Sequence, residues 1–325
     1  MEIYSDQDME NINWVVAGVG DIARRRVIPA IQAERRSTLY GLVTRSQAKA
    51  EEYPGVKTWP TVEEAIQDSA VDAIYIALPV AMHEDAAIAA LRAGKHVLCE
   101  KPMAMNDAEA GRMVAEAEAS GRVFGVSYYR RLYPKLLRAK QLIAEGAIGQ
   151  PVLVEAHCHS WLPPEDRGWL RDPALAGGGP LYDIASHRID AMNFLFGKPE
   201  QATGQMSNAV HDIQVEDSAT ALIRYAGGIH GIVDARWNSR VARDQFRIVG
   251  VEGEIGLDSL NGPELRVAGR VEMLPTHANV HYPLVLNFAG AIAANTPAAV
   301  VCTGEQARWV DWVIEQVMRS KTAGA

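Results

Sequence analysis

Cysteine is scarce: Cys99, Cys158 and Cys302 are the only three in 325 residues, and they show no pair spacing. A sparse, odd count excludes a disulfide framework and fits reduced thiols in a cytosol. Long apolar runs are missing as well; none reaches the roughly 20 residues of a membrane span. The first residues, Met1-Glu2-Ile3-Tyr4-Ser5-Asp6, lack the basic and apolar regions of a secretion signal. A cytoplasmic chain with no membrane partner is expected. Positive charge is in the minority, with 32 Lys and Arg against 40 Asp and Glu and a formal net charge of −8. No basic stripe offsets it, so nucleic acid is not an expected partner. Internal repeats and low-complexity segments are absent.

What is present is an ordinary globular composition, 48% hydrophobic and 22% charged, over a length that favours two domains. Short apolar runs at Ile12–Ala17, Ser37–Thr44, Val71–Ala77, His96–Cys99 and Val123–Val126 predict parallel strands. Helices are predicted between them, from about Ile22, from Thr61, over Met82–Ala93 and over Asn106–Ser120. Thr61-Val62-Glu63-Glu64 has the capping-box form. Asn106 caps the fourth helix and Gly121 stops it. This alternation predicts an α/β fold with a doubly wound parallel sheet over residues 1–127. After Tyr128 the rhythm changes. Helices are expected at Pro134–Glu145, around Asp183–Gly197, at Tyr282–Ala294 and at Gly304–Arg319. Val152–His159 reads as a long strand, and Ala202–Leu274 is strand-rich, with Gly227-Gly228 and Ala268-Gly269 as hairpin turns. Residues 128–325 are therefore expected to form an α+β domain with a mostly antiparallel sheet.

Gly18-Val19-Gly20-Asp21-Ile22-Ala23 follows the first strand and opens a helix, which is the context a G-x-G-x-x-A dinucleotide fingerprint requires. Gly18 allows the tight turn, Gly20 lets backbone approach a pyrophosphate, and Ala23 permits close helix–strand packing. The N–H groups around Asp21 and Ile22 then face the phosphates. Strand two ends in Leu42-Val43-Thr44-Arg45, without the Asp or Glu that binds the ribose of NAD. Arg45, with Thr44 beside it, suits a 2′-phosphate, so NADP is preferred over NAD; Arg45 stacked on adenine would leave that choice open. Leu78, Pro79 and His83 follow a strand at the carboxyl edge where open sheets bind ligands, as does Glu100-Lys101-Pro102.

The stretch Gly177-Gly178-Gly179 through Asp183 and His187 places an acid and an imidazole four residues apart, on one face of a predicted helix. The glycines are expected to let a ligand approach the backbone. With Lys101, this is a proton-handling set for an oxidoreductase. His187 is the natural base, Lys101 stabilises developing alkoxide charge, and Asp183 orients the site or bonds substrate.

Gly18-x-Gly20-x-x-Ala23, Glu100-Lys101-Pro102, Tyr128-Tyr129-Arg130-Arg131 and Gly177-Gly178-Gly179-x-x-x-Asp183-x-x-x-His187 occur in that order. The combination, which runs through essentially the whole chain, resembles the glucose–fructose oxidoreductase, inositol 2-dehydrogenase and rhizopine-catabolism (Gfo/Idh/MocA) family. One departure is Ala185, where that family often has glycine. The resemblance implies a Rossmann domain, a large open sheet, NAD(P)-dependent redox chemistry on a sugar, inositol or related polyol or ketone, and pairing into a homodimer or homotetramer. It places the family's lysine, aspartate and histidine on Lys101, Asp183 and His187, and its Tyr-x-x-Arg element on Tyr128 and Arg131. Tyr128, Trp161 and Trp169 are expected to stack on a sugar ring, and Arg131 and Arg171 to read hydroxyls or a carboxylate. The rival readings are an NAD-dependent inositol-type dehydrogenase, a dihydrodiol or ketosugar reductase, and a non-catalytic dinucleotide sensor on the same scaffold.

Overall fold

Side chains buried on both faces make the first sheet parallel, and its strands are correspondingly apolar. A computed structural model describes residues 11–162 and 165–322. The first sheet holds β1 (Ile12–Ala17), β2 (Ser37–Val43), β3 (Lys57–Trp59), β4 (Ala73–Ile76), β5 (His96–Cys99) and β6 (Phe124–Val126). Their spatial order is β3-β2-β1-β4-β5-β6, and every pairing is parallel. This is the doubly wound dinucleotide-binding order, with its switch point between β1 and β4. β3 has no counterpart among the expected strands. It is a three-residue edge strand whose side chains lie largely in solvent, so no apolar run announces it.

Local chemistry sets the helix ends. Thr61 Oγ1 accepts the N–H of Glu64 at 3.3 Å. Asn106 Oδ1 accepts the N–H of Glu109 at 2.9 Å, and its Nδ2 donates back to Glu109 Oε1 at 2.9 Å. Gly121 ends that helix at φ +64°. The helix after the glycine turn departs from a plain α-helix: Ala23–Val27 is a π turn, followed by an α segment over Ile28–Ala33. Pro29 explains it. Its missing N–H and its ring disrupt the bond to the preceding turn, and a widened turn accommodates both.

The second sheet holds β7 (Pro151–Trp161), β8 (Pro199–Ser207), β9 (Ser218–Tyr225), β10 (His230–Arg236), β11 (Asn238–Gly250), β12 (Glu254–Gly256), β13 (Glu264–Val267) and β14 (Arg270–Met273). Their order is β14-β13-β12-β11-β7-β10-β9-β8. All neighbours are antiparallel except β7 and β10. The expected hairpins at Gly227-Gly228 and Ala268-Gly269 join β9 to β10 and β13 to β14. Val154, Ala156 and Cys158 of β7 point inward, toward Ile189 and Met192 of the helix Ser186–Phe196 and Val313 and Val317 of the helix Gly304–Thr322. The alternate residues of β7 face outward.

The chain's end departs from a simple division at 127/128. Leu284, Val285 and Phe288, in the helix Tyr282–Ala293, join the cluster of Trp14, Ile28 and Ile31 in the first lobe. Cys302 O accepts the N–H of Val126 at 3.1 Å. One apolar cluster then runs through both lobes, from Ile76 and Val126 to Ala156 and Ile189. No helix among the described residues is long and apolar enough to cross a membrane.

Candidate active site

Gly18 adopts φ +95°, and a Cβ there would strike the carbonyl of Ala77 at the end of β4. The glycine is therefore dictated by the close approach of β1 and β4 at the switch point. Gly20 differs: a Cβ there would meet nothing within 4 Å. The space over Gly20 is open, and the first-turn N–H groups beside it have no intrahelical partners. That opening, at a positive helix end, fits a pyrophosphate. Ala23 is fully buried against the sheet. Asp21 is turned to Arg24 and Arg25, at 3.2 and 3.8 Å. At the end of β2, Thr44 Oγ1 accepts the N–H of Ser46 at 3.1 Å, and Ser46 caps the next helix. Arg45 between them is exposed. These residues suit a dinucleotide's phosphates and ribose.

Past β4, Leu78 and Pro79 form the turn into Val80–Met82. His83 does not reach toward a cofactor. It is 1% exposed, and its ring nitrogens meet the carbonyls of Pro102 (3.1 Å), Met103 (3.3 Å) and Leu78 (2.9 Å). Burial pulls its pKa down. Its work is to clamp the turn after β4 to the loop that carries Lys101.

Lys101 and Asp183 come together across the two lobes. Lys101 Nζ donates to Asp183 O at 2.7 Å and to Asp183 Oδ1 at 3.2 Å. The peptide between Lys101 and Pro102 is cis. Asp183 lies in a π turn, Leu181–Ala185, and His187 in the α-helix Ser186–Phe196 that continues it. The two therefore straddle a junction of helix types, where the expectation was one regular helix. His187 is 6% exposed, and its Nδ1 is sealed and without a hydrogen-bond partner. Burial drives its pKa well below the ordinary imidazole value, and the positive charges of Arg130, Lys101, Arg188 and His281 push the same way. The ring is therefore neutral at pH 7.

Behind this cluster stand Glu100, Tyr129 and Arg130, which lie inside the motifs quoted above, and His281, which no motif marks. Glu100 is buried; Tyr75 Oη donates to it at 2.5 Å and His281 Nε2 lies 3.5 Å away. Burial alone would raise its pKa, but His281, Tyr75 and Lys101 outweigh burial and hold it below the usual carboxylate value. Tyr129 is the hub of the aromatic wall, with ring centroids 5.2 Å from His187 and 4.7 Å from His281. Arg130 lies over the same ring at 5.0 Å.

Several expected ligand contacts are structural instead. Arg131 is 1% exposed; it pairs with Asp190 at 2.7 Å and donates to Val301 O at 3.1 Å and Gln306 Oε1 at 2.6 Å. With its donors spent inside the protein it cannot read a substrate. Tyr128 is fully buried, its ring 6.0 Å from His187, and it cannot stack on a sugar; its neighbour Tyr129 lines the site. Trp161 lies on the outer face of β7 between His211 (4.6 Å) and Arg240 (3.9 Å), so it is engaged away from the Lys101 cluster. Trp169 and Arg171 belong to the segment Glu165–Arg171, whose Leu170 packs with Ile184 beside Asp183; Trp169 is 38% exposed. The glycine run serves packing as well. Side chains at Gly177 and Gly178 would strike the Tyr182 ring, and one at Gly179 the carbonyl of Glu216. Protein, rather than ligand, fills the space these glycines leave. Tyr182 Oη then donates to Met105 O at 2.9 Å and ties the lobes.

The sequence of residues 12–128 matches the oxidoreductase family with an NAD-binding Rossmann fold, and residues 136–256 match the GFO/IDH/MocA C-terminal domain. A curated relative, the 1,5-anhydro-D-fructose reductase of Ensifer adhaerens, is 33% identical over 91% of this chain and 92% of its own. The bovine trans-1,2-dihydrobenzene-1,2-diol dehydrogenase is 29% identical over 81% and 80%. Among solved structures, the aldose-aldose oxidoreductase of Caulobacter crescentus, complexed with glycerol, has the same fold: TM-score 0.87 at 24% identity, covering 97% of this chain and 99% of its own. Switch-point turn, Lys101 loop and open second sheet thus sit in one recognised lineage, and the chain belongs to the Gfo/Idh/MocA family of NAD-binding oxidoreductases.

Proposed function

We propose that the protein is an NADP(H)-preferring dehydrogenase or reductase acting on a CH–OH or ketone group of a sugar, inositol or related polyol. The observation that carries this reading is the junction of lobes. Lys101 Nζ is pinned on Asp183 in the same buried cluster as a neutral His187. Bound nicotinamide supplies the hydride acceptor or donor. The protein's own residues handle the proton. In the oxidative direction His187 Nε2 takes the hydroxyl proton, and Lys101 stabilises the negative charge growing on that oxygen. Asp183 fixes the ammonium group by its carbonyl and carboxylate. Reduction runs the same steps backwards. Tyr129, amphipathic and at the cluster's edge, offers a face for a sugar ring.

Arg45 supports the preference for NADP. It is exposed at the end of β2, beside Thr44 and Ser46, where no carboxylate stands to bind a ribose hydroxyl. Copies of the chain pair through the outward face of the second sheet, where Leu222 is 50% and Val241 69% exposed. Light scattering after gel filtration reads the resulting dimer or tetramer.

A panel of polyols, ketosugars, anhydrosugars and dihydrodiols, assayed at the reduced-nicotinamide band with both cofactors, tests the reading. His187→Asn lowers kcat by about 100-fold or more, the scale of a lost general base, with cofactor affinity unchanged. Arg45→Ala weakens NADP(H) selectively. An unchanged NADP-to-NAD ratio in that variant removes the cofactor assignment. A His187→Asn enzyme at wild-type turnover removes the mechanism.

A further inference from the structure

We propose that His157, His159 and Asp234 form a site for a divalent transition metal of the zinc class, on the outer face of the second sheet. Alternation along β7 projects His157 and His159 from the same side. β10 runs parallel to β7 and sets Asp234 opposite His157. One donor atom from each residue lies within 4.8 Å of the others, the one such cluster among the described residues. His159 Nε2 is 2.7 Å from Asp234 Oδ2, and His157 Nδ1 is 3.7 Å from the same oxygen. A tetrahedral zinc ion with bonds of about 2.0–2.1 Å spaces its ligand atoms about 3.3–3.4 Å apart. The two distances bracket that value, so small side-chain rotations admit an ion.

The surroundings favour metal over a simple polar cluster. His157 Nδ1 is sealed from solvent and makes no hydrogen bond, although it faces the centre of the group. His157 Nε2 is 3.9 Å from Glu155 Oε1, and Arg247 holds that carboxylate through Oε2 at 3.0 Å. Closed to hydrogen-bond distance, that gap would give the carboxylate behind an imidazole that orients metal-ligating histidines. Thr220 donates to Asp234 Oδ1 at 3.1 Å, which leaves Oδ2 for the ion. Arg236 is the competitor: its Nε lies 3.1 Å from Oδ2 and its Nη2 3.0 Å from Oδ1. Its side chain is 38% exposed and swings away from Asp234 when a cation takes its place. Two imidazoles, one carboxylate and a position for water suit zinc or its transition-metal neighbours better than magnesium or calcium, which take oxygen ligands. The inner face of β7 packs toward the helix bearing His187, so the ion lies across the sheet from the Lys101 cluster and takes no part in hydride transfer. The site stands on its own donors and requires neither the proposed substrate nor the pairing of copies.

Titration calorimetry of chelator-treated full-length protein with zinc chloride, paired with elemental analysis after dialysis, tests the site. One zinc per chain is expected, and cobalt(II) in its place gives the intense visible band of tetrahedral coordination. His157→Ala and His159→Ala each weaken binding by at least about tenfold, and Glu155→Gln weakens it by about tenfold, the usual effect of removing an outer carboxylate. Arg236→Ala tightens binding. Circular dichroism confirms that each variant is folded. Absence of bound zinc at a tenfold molar excess overturns the proposal. So does undiminished binding in the folded His157→Ala/His159→Ala double variant, which assigns the ion to other groups.

Discussion

At the residue scale, the charge state of His187 follows from what surrounds it. Burial disfavours its protonated form, and Arg130, Lys101, Arg188 and His281 disfavour it further. The neutral ring is the form that accepts a proton, and it persists as pH falls past the ordinary imidazole value of 6.5. The acid limb of kcat/KM for the free enzyme therefore lies well below pH 6.5. Arg130→Gln removes one repelling charge, favours the imidazolium and moves that limb upward. A wild-type limb at the ordinary value, unmoved in Arg130→Gln, would show that another group controls it. The convergence of Lys101 and Asp183 was legible because proton chemistry restricts the residue types and a motif spaced them. Arg131 was misjudged because Tyr129–Leu132 is a 3₁₀ turn. A single 3₁₀ turn offers no periodicity from which to tell the buried Arg130 and Arg131 from the half-buried Tyr129. His281 begins a helix far along the chain, and only the return of the C-terminal segment to the first lobe brings it to Glu100.

At the scale of elements, two glycines of similar appearance do opposite work. A Cβ at Gly20 meets nothing within 4 Å, whereas one at Gly179 strikes the Glu216 carbonyl. Gly20→Val therefore leaves stability within about 1 kcal/mol, as at an open surface position, yet fills the pyrophosphate space. Gly179→Ala overpacks the contact with Glu216 and Val215 and costs about 1–3 kcal/mol. Thermal melts with and without NADP(H) separate the two. The Gly20→Val protein melts like the parent but gains nothing from cofactor; the Gly179→Ala protein melts lower and is still stabilised by it. The reverse pattern would exchange the roles. Strands buried on both faces could be read from apolar runs, and hairpins from Gly227-Gly228 and Ala268-Gly269. β3 could not, because an exposed edge strand needs no apolar side chains. The parallel pairing of β7 with β10 was equally hidden, since it joins segments separated by two α-helices and two strands.

At the scale of the whole molecule, a buried ion pair ties the turn that follows β6, where the chain leaves the first sheet, to the middle of the helix carrying His187. Arg131 and Asp190 are 1% and 0% exposed. The guanidinium donates to both carboxylate oxygens, at 2.7–3.2 Å, and reaches the C-terminal segment through Val301 O and Gln306. It therefore fastens three segments: the turn after β6, the helix carrying His187, and the chain entering the last helix. Coulombic attraction in such a place roughly repays desolvation, so the pair as a whole adds little net stability. Removing one partner is different, because the other charge stays buried and alone. Arg131→Met should cost about 3–5 kcal/mol in urea unfolding, and Arg131→Met/Asp190→Leu should recover much of that loss. The double variant still lacks the bonds to Val301 and Gln306. Its lobes close less firmly over His187, and kcat falls even where stability returns. Full recovery of both quantities would reduce the pair to packing, whereas a loss under about 1 kcal/mol in Arg131→Met would place its charge in water rather than in the core.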